Sequence, residues 1–217
     1  MNGETDFKFM QCDHVSETAL KYIDLNSYSS SPNFLGYSNY ENSYSETGIE
    51  TVCDDFLNKV ISNNIGEIWI VSSLFISNDR TQLSRDYDIS IKSVDRFLNG
   101  LLKHQVVREI DFDSIAQIFA PETQKYADKF QKLETEFHCT YPGRFADFKE
   151  ILLSFFRAVG LHGHIFFVLR KSNLIAYPHT DDLGFGFIGM DKKLLPVQKE
   201  YLKNEFASTG MEFISWN

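Results

Sequence analysis

The sequence predicts an α/β fold of the α+β kind: a mostly antiparallel central sheet covered by helices, closing in a β-meander followed by a helix. Three observations predict it. Four segments repeat apolar residues at helical spacing. Several short runs of β-branched and aromatic residues are bounded by turn residues, as buried strands are. Near the C-terminus "IFFVLRK", "LIAYPH" and "FGFIGM" follow one another with only "SN" and "TDDLG" between them. Antiparallel neighbours joined by tight turns read this way. A chain of 217 residues can bury a core that needs no staples.

Residues 1–45 are expected to be an irregular acidic segment with a short helix at 15–24. The stretch "NSYSSSPNFLGYSNYENSYS" shows neither period. The α/β domain is placed at 46–217, divisible into helix–strand halves 46–112 and 133–217. The first helix is expected over 47–62, where Ile49, Val52, Cys53, Phe56 and Val60 form one apolar face. Glu46, Glu50 and Asp54 recur every four residues on the opposite side and give an acidic stripe. "NNIG" ends this helix, and "EIWIVSSLFI" is read as a strand over 67–76. A helix over 91–104 carries Val94, Phe97, Leu98, Leu101 and Leu102, and a strand over 105–110 follows.

Residues 112–132 read as a polar loop with one helical turn after Pro121. "LETEFHCTY" alternates and predicts a half-buried strand over 133–141. A helix over 147–160 opens with Asp147 and Glu150 in capping-box spacing. The meander strands are placed at 164–170, 173–178 and 185–190. The last helix, 196–207, has Pro196 at its start and Gly210 past its end. "MEFISW" is read as an edge strand. The pairs "CDDFLNKVISNNIGEIWIVSSLF" and "LLSFFRAVGLHGHIFFVLRK" share one order, helix, Gly-containing link, strand. Two such units can pack side by side on one sheet.

Charge narrows the function. The net charge is −9. Residues 1–60 hold ten acids and three lysines, whereas the remainder holds twenty acids and eighteen bases. Such a front half disfavours phosphate or anionic-membrane binding, which needs Lys and Arg. It suits a basic protein partner. Twenty phenylalanines and ten tyrosines supply core and interface anchors. No apolar run reaches the roughly 20 residues of a membrane helix, and the N-terminus lacks secretory-signal features. Cys12, Cys53 and Cys139 show no paired spacing, so each is expected to be a buried thiol in a reducing compartment. The protein is therefore expected to be cytoplasmic.

Three constellations bear on chemistry. "YPHTDDLGFGF", residues 177–187, gathers a histidine, two aspartates and turn glycines. With His162 and His164, which alternation would put on one strand face, His179 and Asp181 could make a metal-dependent hydrolase site. No HExxH or equivalent supplies the remaining ligands. Alternatively, "TDDLG" is a hairpin loop with Gly184 at the strained position. Residues 79–113 follow the helix–turn–helix–strand order of a winged-helix DNA-binding unit, with Lys92 and Arg96 on the second helix. Phosphate-loop, GxSxG and active-cysteine motifs are absent, so no enzymatic activity, metal or cofactor is expected.

One resemblance extends this reading. "FHCTY" leading to "DFKEILLSF", then "HIFFVLRKSNLIAYPHTDDLGFGFI", then "LLPVQKEYLKNEF" resemble the C-terminal half of a bacterial family of unknown function. Its members end in a Tyr-Asp-Asp-Arg-Gly hairpin. "YENSY" through "GEIWIV" and "VDRFLNGLLKH" resemble its first half more weakly. Leu183 stands where that family has arginine and Thr180 where tyrosine is common, so Asp181, Asp182 and Gly184 carry the hairpin signature. The resemblance implies an immunity protein of a toxin–immunity locus, such as contact-dependent growth inhibition. Such a protein binds and neutralises a cognate toxin, here expected to be a basic nuclease. Glu46, Glu50, Asp54, Asp181 and Asp182 are the candidate partner contacts.

Overall fold

The computed structural model describes residues 14–40, 45–180 and 183–216. A seven-stranded sheet runs in the order β5 (His138–Thr140), β2 (Ile68–Ser72), β6 (Ile165–Leu169), β7 (Leu174–His179), β8 (Gly184–Gly189), β1 (Phe34–Tyr40), β9 (Met211–Ser215), with every neighbouring pair antiparallel. The mixed α/β class and the meander are as the sequence predicts. The meander is β6 (Ile165–Leu169), β7 (Leu174–His179) and β8 (Gly184–Gly189), followed by α8 (Leu195–Phe206) and β9 (Met211–Ser215). Outside it lie β2 (Ile68–Ser72) and the edge strand β5 (His138–Thr140).

Helices α2 (Glu46–Phe56), α4 (Ile91–Lys103), α7 (Phe145–Arg157) and α8 cover one face. Their apolar stripes meet the inward residues Ile68, Ile70, Phe167, Leu169, Phe185 and Phe187. Helix α2 continues into a π-helical turn, Leu57–Ile61. The extra residue keeps Leu57, Val60 and Ile61 all buried. The two helix–strand units do lie side by side, since β2 pairs with β6 and α2 is ion-paired to α7.

Several expectations are corrected. Residues 34–40, read as irregular, form β1 (Phe34–Tyr40) between β8 and β9. The strand carries Gly36 and Ser38 where neighbours approach its backbone closely. A Cβ on Gly36 would lie 2.9 Å from the Ser215 Cα. The helix expected at 15–24 spans 14–20 and is α1. The strand expected at 67–76 breaks after Ser72. The Ser72 hydroxyl donates to the Val106 carbonyl (2.7 Å) and accepts from the Leu74 N–H (3.1 Å). Beyond this break β3 (Phe75–Ser77) joins a separate two-stranded sheet, parallel to β4 (Arg108–Ile110).

Residues 112–132 are helical rather than looped. Helix α5 (Phe112–Ile118) is capped by Asp111, and α6 (Gln124–Thr135) by Thr123. Only 138–140 of the strand expected at 133–141 is extended. Helix α7 starts at Phe145, so Asp147 is not its cap; its buried carboxylate takes the Arg144 guanidinium fork instead (2.7 and 3.0 Å). In the β7–β8 hairpin the positive φ falls on Leu183 (+47°), not Gly184. Gly184 is needed for clearance, because a Cβ there would strike the Ser38 carbonyl on β1. Among the described residues Cys53 is the free cysteine, buried and with its thiol pushed up to about 12, whereas Cys139 is disulfide-bonded. That corrects the expectation of three separate thiols. Among the described residues no helix is long and apolar enough to cross a membrane.

Candidate functional site

The opposite face of the sheet is aromatic. Strand alternation puts Trp69, Val71, Phe166, Val168, Ile175, Tyr177 and Ile188 there. Among the described residues, α1 and the turn Tyr28–Ser30 lie over part of this face, through Val15, Ala19 and Tyr28. Beside them is an open groove of about 430 Å³ lined by Tyr28, Ser29, Phe34, Tyr37, Tyr177, His179 and Trp216.

Its walls hold one another by ring contacts. Tyr28 packs on Tyr177 (centroids 4.4 Å) and edge-on to Phe166 (5.5 Å). Tyr37 meets His179 edge-on (6.1 Å), and Phe34 meets Trp216 (5.8 Å). The Tyr28 hydroxyl is hydrogen-bonded to His164 Nδ1, which ties the N-terminal turn to β6. Burial raises the Tyr28 and Tyr177 phenols and lowers His164. The groove therefore presents ring faces and protonated hydroxyls, a surface for an apolar or cationic side chain. Trp216, packed against Phe34 on one side, is half exposed, at 49%.

The lowered His164 has a consequence for stability. Its folded-state value lies below the ordinary 6.5, so the unfolded chain takes up the proton first. Stability is full above about 6.5 and declines as pH falls from there to the folded-state value, then levels off. Thermal unfolding followed from pH 7.5 to 5 is expected to show this decline, shallower in His164→Phe. His138, also lowered by burial, retains part of the slope. An identical slope in His164→Phe would remove His164 from the account.

Glu46, Glu50 and Asp54 are on one exposed side of α2, and that side faces α7. Arg157 pairs with Glu46 and, at 3.4 Å, with Glu50; Lys149 pairs with Asp54. The stripe is thus partly neutralised within the molecule. Asp181 and Asp182 lie outside the described residues, between His179 on the groove wall and buried Leu183. The histidines do not converge as alternation suggested. Gly163 at φ +87° turns the chain between them. His162 stacks on Phe75 (5.3 Å) among Phe112 and Phe130, whereas His164 packs with Phe137 and Phe166 on the sheet face.

Lys92 and Arg96 are exposed on α4. Strand β4 runs parallel to β3 and leads into α5, so the antiparallel wing of a winged helix does not follow. The groove itself was missed from sequence because four of its seven walls come from residues 28–37, where Ser and Asn hide the period. Tyr28, Phe34 and Tyr37 were its available signal. Comparison of the chain with protein-family models, curated proteins and solved structures finds no match.

Proposed function

We propose that the chain is a binding protein that neutralises a bacterial toxin by direct association, with the aromatic groove as its principal contact. The observation that carries this reading is the groove: five of its seven walls are Tyr, Trp or Phe. Tyr and Trp dominate binding energy at protein interfaces, because they bury much area at little entropic cost. In the sequence Asp181 and Asp182 come two and three residues after His179, which lines the groove. The chain's net charge of −9 favours a basic partner such as a nuclease, by steering encounter. Occlusion of the partner's substrate groove is the mechanism, and the family resemblance of the hairpin supplies the toxin–immunity context.

The test is co-expression with the product of the adjacent upstream open reading frame. That product is expected to arrest growth alone and to be rescued by this chain. Tyr37→Ala combined with Trp216→Ala is expected to weaken binding roughly 30-fold or more, on the scale of a hot spot of about 2 kcal/mol. Glu46→Gln, Glu50→Gln and Asp54→Asn together should change the association rate and its salt dependence more than the dissociation rate. An upstream product that is harmless, or toxic and unrescued, would sink the reading. Rescue with unaltered affinity in the groove variant would keep the function and remove the groove from it.

A further inference from the structure

Helices α4 and α7 cross closely because of one glycine. A Cβ on Gly100 would lie 2.5 Å from Ser154 Oγ and would strike the Glu150 carbonyl. Instead the Gly100 N–H donates to Ser154 Oγ at 3.0 Å. One turn later α4 ends, and the contact brings its capping residue His104 against α7. His104 Nε2 lies 3.0 Å from Glu150 Oε2, with the His104 side chain only 12% exposed. Asp147 is three residues before Glu150 and shares its helix face. Its side chain is 6% exposed. One ligand atom from each of His104, Asp147 and Glu150 lies within 4.8 Å of the others.

One imidazole and two carboxylates make a donor set for borderline divalent metals. A tetrahedral ion with bonds of about 2.1 Å needs donors about 3.4 Å apart, so small side-chain rotations would close the site. The three donors sit on two helices locked by the Gly100 crossing, which is the preorganisation such a site requires. Two cations now occupy the carboxylates. Arg144 forks onto Asp147, and Lys103 donates to Glu150 at 2.6 Å. Their side chains are 76% and 51% exposed; the Lys103–Glu150 pair is a surface pair that holds by about 0–1 kcal/mol, whereas the two-pronged Arg144 contact to buried Asp147 is the stronger one a metal must replace. A divalent ion can displace both.

We propose that His104, Asp147 and Glu150 bind a divalent transition metal, with Arg144 and Lys103 as displaceable placeholders. The site is remote in sequence from the groove residues and does not depend on the toxin-binding reading. The test is calorimetry of tag-free, chelator-stripped protein titrated with ZnCl2, alongside visible absorption with CoCl2. One equivalent is expected, with a cobalt band showing nitrogen ligation. His104→Ala and Glu150→Gln should each weaken binding at least tenfold and abolish or shift the band. Lys103→Ala combined with Arg144→Ala should tighten it several-fold, a gain that a purely structural ion-pair network would not give. Circular dichroism checks that each variant is folded, and zinc should raise the melting temperature of the wild type and of the Lys103/Arg144 variant but not of His104→Ala or Glu150→Gln. Absence of binding at millimolar metal, or affinity unchanged in folded His104→Ala and Glu150→Gln, would overturn the site. Loss of affinity in the Lys103/Arg144 variant would overturn the placeholder role.

Discussion

Phe56→Ala is expected to lower the unfolding free energy by about 3–5 kcal/mol, the range for emptying a buried phenylalanine site. Phe56 is fully buried at the end of α2. Its ring stacks flat on Phe185 of β8, with centroids 3.7 Å apart and planes 7° apart. It also meets Phe167 of β6 edge-on at 5.8 Å and lies 6.5 Å from Phe187. One side chain thus joins the helix layer to two strands. The neighbouring rings are anchored on strands and cannot collapse into the void. Denaturant titration should show a lower midpoint with an unchanged slope. Phe56→Leu should cost distinctly less, since it keeps most of the volume. A loss below about 1 kcal/mol for Phe56→Ala would show that the aromatic cluster repacks freely, against the usual cost of such cavities.

Gly100→Ala is expected to destabilise by about 1–3 kcal/mol through overpacking, although helix propensity alone predicts a gain of about 1 kcal/mol. The sign is the informative part. In α4 the added methyl would meet the Glu150 main chain and Ser154 Oγ, both fixed in α7. The helices must separate, and the Gly100 N–H loses its serine contact. His104 then withdraws from Glu150, so metal affinity should fall together with stability. Asn99→Ala, exposed on the same helix, is the control and should be neutral or slightly stabilising. Chemical denaturation of both variants gives the comparison. A stabilised Gly100→Ala protein would mean that the crossing is loose.

Elements with a single dominant period were legible in the sequence. Residues 165–189 show their strands through unbroken apolar runs, and α4 and α7 show theirs through repeating Phe, Leu and Ile. What was hidden is physical in each case. Strand β1 opens with buried Phe34 and Leu35 but continues as Gly36, Tyr37, Ser38, Asn39 and Tyr40, so no alternation shows, and Gly36 and Ser38 stand where β9 and Gly184 approach the backbone closely. Helix α6 has Tyr126, Phe130 and Leu133 on one side, a spacing swamped by the eight polar residues around it. The break at Ser72 depends on a hydroxyl reaching Val106, a contact no local pattern encodes. The metal-ligand cluster joins residues 43 and 46 positions apart in the chain. Its two traces were a D-x-x-E pair that imitates a cap and an unexplained glycine inside a helix.

The placement of β1 has a consequence for how the molecule comes into being. Its two neighbours, β8 and β9, span 184–215, so roughly the last seventh of the chain must leave the ribosome before residues 34–40 find a partner. At synthesis rates of about 5–20 residues per second, that leaves β1 unpaired for roughly 10–30 s, while β2, α4 and α7 can already pack. Closing so long a loop is slow but costs little more than closing one half its length. Sheet completion is therefore a late event that waits for β8 and β9. A chain cut short before β8 would leave β1 without either edge to join, open to chaperones and proteases.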